Sequence, residues 1–140
     1  MNFKEITIPT RTSADDTMGA LSVFESSKEF PFDIKRFYYV HGVKEGVRRG
    51  FHAHKNLWQM LFCPYGSIRV DMDDGKEKAM VMLDSPSKAL LMGPGVWHTM
   101  DWMCDNAVLC VAASDYYNED DYMRDYSDFL NYMKENPDLQ

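Results

Sequence analysis

An all-β sandwich or barrel closed by one C-terminal α-helix is the fold predicted for this chain of 140 residues. Three observations predict it. Between Ile34 and Val111 the chain breaks into short β-branched and aromatic runs separated by turn signals. After Ser114 the residues Tyr122, Tyr126, Phe129, Leu130 and Met133 recur at spacings of 4, 3, 1 and 3, which gathers them on one helical face. No repeat, linker or low-complexity tract divides the chain, and its length suits one core. Residues 1–140 are therefore expected to form a single domain, with a barrel from about residue 30 to 114 and a helix from about 119 to 135.

Taken in order, the polar stretch from Thr10 to Thr17 reads as a surface loop. The expected strands are Lys35–Val40, Trp58–Phe62, Ser67–Asp71, Glu77–Leu83, Lys88–Met92 and Ala107–Ala112. Their turns fall at Pro64-Tyr65-Gly66, Asp73-Asp74-Gly75 and Asp84-Ser85-Pro86, where Gly admits positive φ and Asp bonds its local backbone. Asn118 is the expected N-cap of the helix, Glu119, Asp120 and Asp121 suit the positive end of its dipole, and Pro137 ends it. Its aromatic stripe is expected to pack on the barrel.

Composition excludes several classes. With 45% hydrophobic, 14% aromatic and 26% charged residues, the chain is too apolar for disorder. No apolar run approaches the roughly 18 residues of a membrane span, so no membrane partner is expected. The start lacks the basic-then-apolar pattern of an export signal, and the cytoplasm is the expected location. Three cysteines without CxxC spacing support neither a disulfide framework nor a thiolate zinc site. The formal charge of −7 argues against a nucleic-acid surface. Most of that charge lies after Ser114, where eight acidic residues face two basic ones, so the arginines of the remainder stay available to a small anion.

The informative segment runs from Gly46 to Gln59 and contains Arg49-Gly50-Phe51-His52-Ala53-His54-Lys55. On an extended segment, period 2 aims His52 and His54 at one face. Gly95-Val96-Trp97-His98 follows 44 residues later, and a small barrel can bring His98 beside the pair. His41 has no such partner.

The spacing G-x5-H-x-H-x4-Q-x6-G from Gly46 to Gly66, then Gly95-x2-His98, resembles the two motifs of the cupin superfamily, which implies a jelly roll, or double-stranded β-helix. Metal-binding cupins carry a glutamate ligand where this chain has Gln59. A neutral amide lacks the charge that holds a divalent cation, although three imidazoles alone can bind one.

Longer stretches narrow the likeness: Arg49 to Lys55, Asp73-Asp74-Gly75, Leu83-Asp84-Ser85-Pro86, Val96-Trp97-His98 and Ala113-Ser114-Asp115-Tyr116-Tyr117. From about Phe30 to Met133 the chain resembles the WxcM-like sugar 3,4-ketoisomerases, which act on dTDP-4-keto-6-deoxyglucose. The resemblance implies a metal-free, cofactor-free isomerase that moves a keto group from carbon 4 to carbon 3 of a dTDP-linked keto-deoxyhexose, on a path to an amino sugar of a surface glycan or natural product. It implies that His52 and His54 carry the proton chemistry, with His54 as the expected base and Tyr38 or Tyr39 assisting. Arg49 is the expected pyrophosphate contact, since a guanidinium offers paired donors to phosphate oxygens. Arg36 and Lys55 are further candidates of that kind, and Gln59, Trp97 and His98 are expected to line the pocket. A homodimer is also expected, partly from the resemblance and partly because a small jelly roll leaves sheet edges to cover.

One departure stands out. Near their start these isomerases carry D-x-R-G-x-L, whereas this chain reads Asp16-Thr17-Met18-Gly19-Ala20-Leu21. Either another arginine, such as Arg11 or Arg48, takes over from the missing one, or the substrate differs or is lost. The alternatives are a metal-dependent cupin enzyme using His52, His54 and His98, and a non-catalytic sugar-nucleotide-binding protein.

Overall fold

The computed structural model describes residues 1–26, 28 and 31–139. In chain order its strands are β1 (Phe3–Thr7), β2 (Thr10–Thr12), β3 (Ala20–Ser22), β4 (Arg36–Val40), β5 (Arg48–His54), β6 (Gln59–Tyr65), β7 (Ile68–Asp73), β8 (Lys78–Leu83), β9 (Lys88–Met92), β10 (Trp97–Trp102), β11 (Val108–Ala113) and β12 (Tyr122–Met123), and helix α1 spans Tyr126–Glu135. Two antiparallel five-stranded sheets form, in the orders β1-β9-β6-β11-β4 and β12-β5-β10-β7-β8, with β2 and β3 as a separate hairpin. This is the cupin-type jelly roll with its C-terminal helix. No helix among the described residues is long and apolar enough to cross a membrane.

The core lies between the sheets because strand period 2 sends alternate residues inward. Leu61, Cys63, Ile68, Val70, Met72, Val81, Leu83, Leu90, Met92, Met100, Trp102, Leu109 and Val111 make one buried cluster. Even-numbered residues of β10 and odd-numbered residues of β6 and β11 are inside. The Asp73–Gly75 turn joins β7 to β8 as expected. Asp73 Oδ1 accepts from Gly75 N at 2.7 Å, and Asp74 Oδ1 accepts from Glu77 N at 2.8 Å.

Three boundaries differ from expectation. The sheets do not start at residue 30: β1 pairs with β9, from Phe3↔Met92 to Thr7↔Lys88, and residue 30 itself lies outside the described residues. The stretch expected as a loop contains β2, paired with β3, and a 3-10 turn at Asp16–Met18. The helix begins at Tyr126, not near 119. Asp125 caps it by accepting from Asp128 N at 3.0 Å, while Asn118 caps a 3-10 turn at Glu119–Asp121. Between them Tyr122 and Met123 form β12 on the edge of β5, with Tyr122↔His54 and Met123↔Ala53. Tyr122 thus leaves the expected helical stripe. Phe129 and Met133 keep it, buried with Ala53 and Met123 on the outer side of β5. Full burial of a Phe or Met side chain contributes about 1.5–3 kcal/mol, enough to hold so short a helix in place.

Candidate active site

Strand β5 positions the site, and a bulge in it decides which residues face inward. Against β10 the register runs Asp101↔Arg48, Met100↔Arg49 and Thr99↔Gly50, then skips to His98↔His52. Phe51 is the extra residue, and it and Gly50 both carry positive φ, 58° and 98°. Such a bulge re-aims the side chains on one side of it. Arg49 therefore shares the inner face with Met100 and His52, whereas Arg48 turns outward and binds Asp101 Oδ2 through Nη2 at 2.7 Å. A β-carbon at Gly50 would sit 2.8 Å from the His98 carbonyl oxygen.

The inner face opens on a cavity of about 360 Å3 lined by Arg36, Tyr38, Val40, Arg49, Gly50, His52, Met100, Leu109, Tyr122 and Arg124. Period 2 along β4 puts Arg36, Tyr38 and Val40 there together. Three imidazoles meet at its base. The ring of His52 lies 5.1 Å from that of His54 and 4.5 Å from that of His98. His54 and His98 are buried behind the lining, both 2% exposed. Tyr122 closes the cluster from β12, its ring 5.1 Å from His52 and 4.4 Å from His54. The Arg124 guanidinium lies 4.3 Å over Tyr122 and binds Glu119 Oε1 at 2.6 Å, and Glu119 also accepts the Tyr117 hydroxyl. Arg36 lies over the rings of Tyr38 and Tyr117, at 5.2 and 5.7 Å.

Each buried histidine has a distinct partner. Nδ1 of His54 meets Asp121 Oδ2 at 2.9 Å, and Nδ1 of His98 meets the Val96 carbonyl at 3.0 Å. Among the described residues, Nδ1 of His52 and Nε2 of His54 are buried without a hydrogen-bond partner of good geometry, while the Gly50 backbone favours the protonated form of His52. Burial lowers the pKa of all three rings. His52 lowers those of His54 and His98 further by like charge, and Asp121 only partly opposes this at His54. The cluster is therefore neutral at pH 7. Burial also pushes the Tyr38 phenol up to about 12, which keeps its proton in place. Its hydroxyl donates to Gln59 Oε1 at 3.4 Å.

Unfolded histidines titrate near 6.5, while the folded rings bind protons only below that value, so the unfolded chain holds more protons as the pH drops. The stabilisation is complete above about pH 6.5 and is lost as the pH falls through that value toward the folded pKa values. Calorimetry should show Tm falling between pH 7 and pH 5, before the carboxylates titrate. A flat Tm over that interval would contradict neutral burial of the cluster.

Several residues singled out from the sequence lie elsewhere. Tyr39 is on the outer face of β4, 59% exposed, because it alternates with Tyr38. Trp97 points outward for the same reason, opposite to His98, and its ring packs 5.2 Å from Tyr126 and 5.6 Å from Phe129. Lys55 lies beyond the end of β5, where Nζ donates to the Asp120 carbonyl at 2.9 Å. Gln59 is buried against Tyr38. Met18 is 74% exposed on the 3-10 turn, Arg11 is exposed on β2, and Arg48 is engaged outside, so none of the three lines the cavity. Conversely, Tyr122, Arg124, Asp121 and Glu119 of the terminal segment belong to the site or support it.

The ligating atoms of His52, His54 and His98 all lie within 4.8 Å of one another, a donor set able to take a divalent transition metal. The set contains no carboxylate.

Comparison with known proteins agrees with this architecture. The family model described as FdtA, WxcM-like, C-terminal matches residues 1–134. The chain belongs to this family. Among WxcM-like relatives, a TDP-4-oxo-6-deoxy-α-D-glucose-3,4-oxoisomerase from Aneurinibacillus thermoaerophilus is 45% identical over 133 residues, covering 95% of this chain and 90% of that protein. A mutant of the QdtA 3,4-ketoisomerase from Thermoanaerobacterium thermosaccharolyticum, solved with TDP-4-keto-6-deoxyglucose, superposes with a TM-score of 0.90 at 35% identity, covering 96% of this chain and 95% of the other. A 3,4-ketoisomerase from Helicobacter canadensis gives 0.90 at 36%, covering 96% and 98%.

Proposed function

We propose that this WxcM-like protein, acting as one cupin unit, is a sugar-nucleotide 3,4-ketoisomerase that converts a TDP-4-keto-6-deoxyhexose to its 3-keto isomer. The observation that carries the reading is His52 facing a cavity whose other walls supply arginines and a buried phenol, where burial lowers the pKa of the imidazole. The reaction is internally balanced and needs no redox partner. A base removes the proton on carbon 3, the electron pair forms the C3–C4 double bond, and O4 takes a proton to give an enediol. O3 then releases its proton as carbon 3 becomes the ketone, and carbon 4 takes a proton.

His52 is the proposed base, in place of the expected His54, because it lines the cavity while His54 lies behind it. A neutral imidazole titrating below 6.5 accepts a proton at physiological pH and returns it readily. Tyr38 is the proposed proton carrier between O4 and O3, since its phenol stays protonated. Arg49 is the proposed diphosphate contact, with Arg36 beside it, and both present guanidinium donors to the cavity. The homodimer, the cytoplasmic location and the amino-sugar or surface-polysaccharide setting are further proposals drawn from the family likeness. Light scattering at micromolar concentration checks the dimer, and a single-chain mass would remove it.

A second reading, metal-dependent catalysis, is favoured by the close approach of the three imidazoles. Turnover of TDP-4-keto-6-deoxyglucose by chelator-treated protein tests both. We expect the 3-keto product at an undiminished rate. Activity lost on chelation and restored by a divalent ion would transfer the function to the metal reading, and binding without turnover would leave a sugar-nucleotide-binding protein.

A further inference from the structure

We propose that Asp121 is a positioning residue of this site: it holds the Nδ1 proton of His54 and thereby keeps the His54 Nε2 lone pair aimed into the histidine cluster, where it stabilises the imidazolium that His52 becomes. The inference rests on the reading of His52 as the base. Asp121 is placed with both carboxylate oxygens committed. Oδ2 meets His54 Nδ1 at 2.9 Å, and Oδ1 accepts from Asn56 N at 2.8 Å and from Asn56 Nδ2 at 3.2 Å. The backbone secures it as well, because Lys55 N donates to the Asp121 carbonyl at 2.9 Å beside the β12–β5 pairing.

A carboxylate only accepts, so the His54 nitrogen facing it must carry the proton. The opposite nitrogen, Nε2, is then a lone pair, and it is buried with no partner in the resting site. An unpartnered buried acceptor is costly unless some state of the protein uses it. The other unpartnered imidazole atom of the cluster is Nδ1 of His52, on a ring 5.1 Å away and nearly perpendicular at 85°. His52 takes the carbon-3 proton on the nitrogen that faces the cavity, so its buried Nδ1 bears hydrogen before and after; abstraction makes the ring cationic, and the His54 Nε2 lone pair, backed by the Asp121 carboxylate, stabilises that charge. No covalent step is added. The dyad stabilises charge that exists only after proton abstraction, which is where electrostatic stabilisation accelerates a reaction.

Asp121→Asn tests this because the replacement has one orientation open to it. The asparagine oxygen must stay on Asn56 N, which turns its NH2 toward His54 Nδ1 and forces the proton onto Nε2. In 15N-histidine NMR spectra, His54 of the wild type should be protonated on Nδ1, and that of the variant on Nε2. With TDP-4-keto-6-deoxyglucose, kcat should fall by roughly 30-fold, short of the roughly 10⁴-fold seen when the misdirected ring is itself the base. KM and Tm should hardly change. An Nε2-protonated His54 in the wild type would overturn the proposal, as would a switched tautomer with unchanged kcat, or a lower kcat without the switch. If the variant does not fold, the wild-type tautomer decides alone. If the wild type binds but does not isomerise, the functional reading fails while the tautomer measurement still judges the Asp121–His54 pair.

Discussion

His52→Asn should lower kcat for TDP-4-keto-6-deoxyglucose by about 10³-fold, within the range for removing a positioned general base. The amide fills much of the imidazole's space but has no basic lone pair, so binding should survive and KM should stay within about 3-fold. Among the described residues, His52 is the histidine that lines the cavity, together with Arg36, Tyr38 and Arg49. Solvent deuterium separates base from bystander. Wild-type enzyme in D2O should either exchange the carbon-3 hydrogen or carry it to carbon 4, and His52→Asn should do neither. His54→Asn should retain measurable transfer at a reduced rate, because it removes only the group behind the base. If the two variants change places, with His54→Asn inert and His52→Asn active, His54 is the base and the cavity lining has misassigned the role.

How much of this was legible in the sequence depends on whether a local rule or a tertiary contact decides each residue. The six expected strands carry their own alternation, so β9 matches Lys88–Met92 and β4, β6, β7, β8 and β11 lie within three residues at either end, whereas β1, β2, β3, β10 and β12 are not among the expected strands. The shared face of His52 and His54 follows from period 2 and is seen, with His98 paired opposite His52. By the same rule adjacent residues of a strand face opposite ways, so Trp97 cannot join His98, and only one of Tyr38 and Tyr39, which the sequence leaves open, can face the site. Tyr122 was ambiguous for a different reason. A spacing of 4 is compatible with a helix and with a strand alike, so its distance from Tyr126 could not reveal β12. The run Glu119-Asp120-Asp121 reads as helix-dipole charge, whereas Glu119 serves Arg124 and Asp121 serves His54. Those partners are distant in sequence or created by the chain reversal, and no local pattern announces them.

The bulge is the feature least visible in the sequence, because Phe51 adopts positive φ against its own preference and only the pairing with β10 requires it. Its expected importance is correspondingly large. Gly50→Val should lower Tm by about 10 °C, taking about 1–3 kcal/mol of backbone strain at φ 98° together with the close approach to the His98 carbonyl. The chain then has two responses. It can keep the bulge and push β10 away, which displaces His98 and the ring of His52 packed 4.5 Å from it. Alternatively it can remove the bulge by slipping one residue, which turns Arg49 outward, brings Arg48 in and breaks the Arg48–Asp101 pair. The first response disturbs the base and the second the anion contact, and since a misplacement of about 1 Å can cost about 10²-fold, kcat/KM should fall by at least about 10²-fold in either case. Steady-state kinetics on the folded fraction, with Tm from calorimetry, checks both numbers. A Gly50→Val enzyme with kcat/KM within about 3-fold of wild type would show that the Gly50–Phe51 bulge does not set the inward aim of Arg49 and His52.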